Sequence, residues 1–171
     1  YCHEHWPEPN RYFVFHFDWS TFVISSVDDF KQRLNDDLDG WALYFGFEIP
    51  TNKRLARRFE FLIKACIAKL KDEAFLAVHP ELKDGDRPFC SDRVVLLIDE
   101  YDAPLSRNLD NPEIFEQLLP VYTSIFSTIK SLRCLRMVFI TGVSSYSQTS
   151  IFSGANQFIN ISLDSDYATC C

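Results

Sequence analysis

Three carboxylates within four positions, Asp99, Glu100 and Asp102, follow directly on five aliphatic residues, Val94 to Ile98. Neighbouring acids of this kind can serve a divalent ion and orient or polarise a water molecule for attack. Their position matters as much as their type. A short continuous apolar run reads as a strand buried on both faces, and such strands belong to parallel sheets covered by helices. In open α/β sheets, ligands bind beyond the carboxyl ends of the strands, where these acids fall. A plainer account, a core strand running into an acidic turn, stands beside it at this stage.

A second strand signal, Met137-Val138-Phe139-Ile140, ends in Thr141-Gly142-Val143-Ser144. If the two strands are neighbours, their ends lie about 4.8 Å apart. That places the Thr141 hydroxyl close to Asp99 and Glu100, with Gly142 letting the chain turn near a ligand. Ser144 lies one turn further out and takes the same role if the loop folds back. The alternative is that Thr141 satisfies a strand-end backbone group. The hydroxyls from Ser144 to Ser153 have no histidine near them in sequence and read as a solvated loop.

The elements that must position these groups follow in order. Residues 1 to 11 read as a loop, and Tyr12 to Phe17 as an aromatic strand fit for burial beneath helices. Ser26 with Asp29 forms a capping box before Phe30, Leu34 and Leu38. That helix ends at Gly40 or runs on through Trp41, Leu43 and Tyr44. Leu55, Phe59, Leu62, Ile63, Cys66, Ile67 and Leu70 mark a second amphipathic helix. Residues 74 to 93 read as a polar connection, and Pro104 predicts a turn after the acids. Asn111-Pro112 caps a third helix, with apolar positions from Phe115 to Ile129 and a Pro120 that can kink it. A last strand is expected at 158–163. Alternating strands and helices predict an α/β domain with a mostly parallel sheet, the strand at 94–98 lying between the first and third.

With 171 residues, the chain suits one domain of ordinary size. An apolar content of 47%, with 16 phenylalanines, excludes a disordered chain. A formal charge of −7 speaks against a nucleic-acid backbone as main partner. The local basic segment Lys53, Arg54, Arg57 and Arg58 reads equally well as the wet side of a helix. No apolar run approaches the about 18 residues of a membrane span. The six cysteines form no C-x-x-C and read as free thiols of an intracellular protein, compartment unassigned. Cys2-His3-Glu4-His5 is at most an adventitious metal site.

A hydrophobic strand ending in Asp-Glu has the Walker B arrangement of nucleotide hydrolases. The segments Leu96 to Leu105 and Val138 to Ser144 together resemble the predicted AAA-ATPase, or AAA-ATPase-like, family of P-loop proteins. Phe15 to Ser20, Ser150 to Asn156 and Ile161 to Thr169 are also similar to it. The resemblance implies a P-loop NTPase-like, mostly parallel sheet with flanking helices in strand order 5-1-4-3-2. It further implies ATP and Mg²⁺ as cofactors. Asp99 would be the Mg²⁺ ligand acting through water, Glu100 the catalytic carboxylate, and Thr141 or Ser144 the polar sensor of the γ-phosphate or attacking water. Roles for Tyr101 and Asp102 are not implied. Many members carry a restriction-endonuclease-like domain downstream, so such a domain is one implied partner.

One departure is large. A P-loop requires G-x-x-x-x-G-K-[ST], and none of the five glycines here is followed by lysine. Residues 1–171 are therefore expected to be a partial AAA-ATPase-like domain, the C-terminal part of an ATP-binding and hydrolysing core. Its first strand and P-loop are absent, its missing partner is the N-terminal P-loop segment, and activity alone is not expected. A non-catalytic interaction or structural domain on the same fold is the alternative. A metal-dependent nuclease is disfavoured because adjacent strand residues point to opposite faces and no lysine accompanies the acids.

Overall fold

The computed structural model describes residues 9–143 together with 159 and 161. Three strands and five α-helices occur among these residues: β1 (Arg11–Asp18), α1 (Val27–Tyr44), α2 (Leu55–Lys69), α3 (Glu73–Val78), β2 (Phe89–Asp99), α4 (Ala103–Ser106), α5 (Pro112–Ser131) and β3 (Leu135–Ile140). The sheet is parallel in the order β1-β2-β3, so β2 is central as expected. The strand expected at 158–163 lies outside the described residues except for Ile159 and Ile161.

Local signals explain most boundaries. Ser26 accepts the Asp29 N–H at 3.1 Å, while the Asp29 carboxylate reaches back to the Ser25 N–H at 3.0 Å. Two donors at the α1 start are thereby satisfied. The helix passes Gly40 and ends at Tyr44, followed two residues on by Gly46, whose φ of +69° suits a residue without Cβ. There Phe47 N–H donates to Ala42 O and Gly46 N–H to Leu43 O, both at 3.0 Å. At the start of α5, Asn111 Oδ1 accepts the Ile114 N–H at 3.3 Å. Pro120 sits on the exposed side of α5, which runs on through it.

Several expectations give way. The stretch 74–93 contains α3, a 3₁₀ turn (Pro80–Leu82) and the beginning of β2. Phe75 and Leu76 are buried there, and Arg11 fastens the far end through Leu82 O and Arg87 O. Ala103–Ser106 is a helical turn; Pro104 falls in its first turn, where a missing N–H costs nothing. Arg58 is not on a wet face but 4% exposed, its guanidinium held by Asn35 and Asp39 of α1. Its stem fills the α1–α2 seam, which a helix-face reading of the basic segment does not anticipate.

Among the described residues the helices cover one side of the sheet. Phe13, Phe15 and Phe17 pair in register with Val94, Leu96 and Ile98, and the last two pair with Val138 and Ile140. This face joins Phe30, Leu62, Ile63, Tyr122 and Phe126 of the helices in one core. On the opposite face Val14, Met137 and Phe139 remain 41%, 37% and 43% exposed among the described residues, and Leu97 is half-buried. Right-handed crossovers explain the asymmetry. Both crossovers advance the same way, from β1 to β2 to β3, so both place their helices on the same face. The expectation that β1 and 94–98 are sheltered beneath helices thus holds for one face among the described residues.

Within the described residues Cys66, Cys90 and Cys134 are free thiols. Burial pushes the Cys66 thiol far above its ordinary value, which makes it inert. No helix among the described residues is long and apolar enough to cross a membrane.

Candidate functional site

Because β2 and β3 are parallel and in register, Ile98 opposite Ile140, their carboxyl ends deliver Asp99 and Thr141 side by side. Backbone pairing continues past the strands. Thr141 N–H donates to Ile98 O at 2.9 Å, and Tyr101 N–H donates to Thr141 O at 3.0 Å. The Thr141 hydroxyl donates to Asp99 Oδ1 and accepts the Glu100 N–H at 3.2 Å. Glu100 N–H also lies 3.1 Å from Asp99 Oδ1. The expected meeting of Thr141 with Asp99 and Glu100 is therefore present, and the hydroxyl does serve a backbone N–H as the plainer account supposed. Ser144 lies outside the described residues.

The turn that follows is held tightly. Glu100 has φ +45°, in the left-handed region that a side chain occupies only at a cost of about 1–2 kcal/mol. Tyr101 is buried, and its carbonyl accepts the Tyr122 hydroxyl at 2.9 Å. Burial, with the nearby Asp102 and Tyr101, raises the Tyr122 phenol well above its usual pKa. Asp102 is also buried, and its Oδ1 accepts the Val143 N–H at 3.2 Å. Among these residues Glu100 is the exception. No hydrogen bond or ion pair among the described residues engages its carboxylate, and the residue is half-buried. A group intended for an outside molecule needs that freedom.

Gly142 has a different reason from the one its sequence position suggests. A Cβ there would stand 2.5 Å from Asp102 Oδ1 and 2.6 Å from Tyr101 Cε1. The close approach is to the protein's own acidic turn. Sequence reasoning left Tyr101 and Asp102 without roles; the signal for them is tertiary, arising from residues about forty positions away.

Beside the outer strand, at the end of β1, lies an acidic hollow of about 390 Å³ with His16, Asp18, Asp36, Asp37 and Trp41 in its wall. Burial, then the charges of Asp36 and Asp18, pushes the Asp37 carboxyl up to about 6. Ser20 hydrogen bonds, side chain first and then backbone, hold Asp18 below its usual value. The hollow adjoins the site through the Asp18–Asp99 register pair.

ATP and Mg²⁺ can be tested against the donor set. Asp99 and Thr141 offer one carboxylate and one hydroxyl, and no group of three His, Cys, Asp or Glu among the described residues could hold a metal. Mg²⁺ is commonly bound by one or two carboxylates together with substrate phosphates. The sparse oxygen set fits only an ion that arrives with phosphate, and Asp99 is the carboxylate that would hold it. A phosphate cradle is not encoded: the sequence has no glycine-lysine pair.

The class defined by these observations is an α/β domain with a parallel sheet, bearing acids and a hydroxyl at adjacent carboxyl ends. Residues 85–152 match the family model described as Predicted AAA-ATPase, which covers β2 through β3 and somewhat beyond. Both leading motifs, Leu96 to Leu105 and Val138 to Ser144, fall inside that match; Phe15 to Ser20 and Ile161 to Thr169 fall outside it. The chain is also similar to an "Uncharacterized protein in vnfD 5'region" of Azotobacter chroococcum mcd 1, 41% identical over 81 residues. That similarity spans 47% of this chain and 16% of the relative's length. No solved structure matches the chain significantly.

Proposed function

We propose that this chain carries the ion-serving and water-polarising part of an ATP-hydrolysing, P-loop NTPase-like domain. The observation that supports it is the uncommitted Glu100 carboxylate, at a left-handed turn directly beside Asp99 and Thr141. Asp99 would meet the nucleotide's Mg²⁺, which neutralises charge developing on the phosphates when bound. Glu100 would accept a hydrogen bond from the attacking water and draw off its proton. Thr141, which donates to the Asp99 carboxylate and accepts the Glu100 N–H, would sense the reacting phosphate, with Ser144 as the second candidate for that role. The phosphate cradle would come from a segment N-terminal to β1. A downstream nuclease-like domain is a further proposed partner of the full-length protein.

Two measurements test this. Calorimetric titration of the 171-residue chain should show Mg²⁺·ATP binding no tighter than about millimolar, because amide cradle and phosphate-binding lysine are both missing. A dissociation constant near 10 μM (about −7 kcal/mol) would contradict the reading. In the full-length gene product Glu100→Gln should leave ATP binding intact and suppress turnover, while Asp99→Ala should weaken the response to Mg²⁺. Equal turnover in wild type and Glu100→Gln would end the catalytic assignment. A second reading, an interaction domain without catalysis, draws on the open sheet face with Val14, Met137 and Phe139. It gains if the full-length protein binds no nucleotide.

A further inference from the structure

Beyond backbone pairing, two side chains among the described residues join the acidic turn to the segment after β3, and the proposed chemistry uses only the first. The first is Thr141 on Asp99 and Glu100. The second is Asp102. Its carboxylate is 1% exposed, yet Oδ1 accepts the Val143 N–H at 3.2 Å and Oδ2 lies 3.5 Å from Ser106 Oγ. The same Oδ1 occupies space that any Cβ at position 142 would invade, so the contact is built into both partners. A buried carboxylate is costly to keep unless it is well hydrogen-bonded, and packing alone would be served by an apolar side chain.

We propose that Asp102 is the positioning residue of this site. It anchors the Gly142–Val143 backbone from below, and through it fixes the Thr141 hydroxyl against Asp99 and the Glu100 N–H. Thr141 lies between the two joins: its own backbone is paired to Ile98 and Tyr101, and Gly142 and Val143 follow it directly. With Asp102 in place that segment is closed at Val143, two residues beyond the hydroxyl. Without it, Gly142 and Val143 lose their side-chain tether to the acidic turn, and the Thr141 hydroxyl is held less firmly against Asp99 and the Glu100 N–H. The role deepens the hydrolysis reading and rests on it.

The test uses the full-length gene product and reads two quantities. Hydrogen exchange at the Val143 amide reports the anchor itself. Steady-state ATPase kinetics report its consequence. Asp102→Ala should speed Val143 exchange about tenfold or more while leaving amides in the middle of α5 unchanged, and should lower kcat at least about tenfold with KM for ATP within about twofold. Asp102→Asn keeps an acceptor oxygen in the same place and should restore both quantities to near wild type. Should Asp102→Ala not fold, Asp102→Ser, whose oxygen is too short to reach Val143, takes its place with the same expectation. Unchanged Val143 exchange in the Ala or Ser variant overturns the anchor. Faster exchange with unchanged kcat, in a protein whose turnover Glu100→Gln abolishes, overturns the positioning role while leaving the hydrolysis reading intact. Turnover indifferent to Glu100→Gln removes the hydrolysis reading and the positioning role with it, whatever Val143 does.

Discussion

Glu100 gives the sharpest test of the site's backbone, because its left-handed φ of +45° makes a prediction about sign as well as size. Compare Glu100→Ala with Glu100→Gly. Both remove the carboxylate, and both keep the backbone N–H that reaches the Thr141 hydroxyl at 3.2 Å. They differ only in having a Cβ. At an ordinary position glycine is the poorer residue by roughly 0.5–1 kcal/mol, since it loses more backbone freedom on folding. At a left-handed position the Cβ itself costs about 1–2 kcal/mol. Subtracting one range from the other leaves the glycine variant more stable by roughly 0–1.5 kcal/mol, about 0.75 at the midpoints. Urea unfolding followed by circular dichroism, with equal slopes for the two variants, measures the difference directly. In a chain of this size the glycine variant should also melt about 1–4 °C higher. An alanine variant as stable as the glycine variant, or more so, would refute the reasoning. The turn would then not be left-handed, and the claim that the fold holds Glu100 in a costly conformation would lapse. In the full-length protein both variants should lose turnover, so stability would rise as function disappears in the glycine case.

Two further expectations concern the sheet and the hollow beside it. Leu96→Ala, on the fully packed face, should cost about 2–5 kcal/mol in urea unfolding, whereas Phe139→Ala on the open face of this chain should cost less than about 1.5; similar losses would mean the second face is as well covered as the first. For Asp37, whose folded pKa is raised to about 6 from 3.8, the contribution to stability is full below the lower value and is lost as pH rises through the higher. Asp37→Asn should accordingly gain in melting temperature over wild type at about pH 8 and show a much smaller gain at about pH 4. A gain independent of pH would show that burial and the charges of Asp36 and Asp18 do not burden the Asp37 carboxyl.

Much of the framework is legible in the sequence because its causes are local. Ser26 and Asn111 announce helix starts because the side chain that caps the helix lies within three residues of the amide it serves. The five aliphatic residues before Asp99 announce a central parallel strand. Parallel pairing with Met137 to Ile140 then obliges Thr141 to arrive beside the acids, so that contact could be expected from two short runs and a strand spacing. The α1 boundary was left open in the sequence, an end at Gly40 or a continuation through Tyr44, and the capping hydrogen bonds that follow Tyr44 decide for the second.

What the tertiary structure decided depends on groups far apart in the chain and on the direction in which the chain crosses the sheet. Arg58 looks like surface charge until Asn35 and Asp39 of α1 are brought against it. Asp102 looks like one more acid on a turn until Val143 and Gly142 close over it from about forty residues away. The one-sided cover of the sheet has the same origin. Apolar runs state that a strand can be buried on two faces, but which face receives a helix follows from whether successive right-handed crossovers advance or reverse. From β1 to β2 to β3 they advance, so among the described residues the helices fill one face and leave Val14, Met137 and Phe139 exposed on the other. Periodicity and caps act over one turn of chain and can be read along it; burial of a particular charge or face is a property of elements meeting in space.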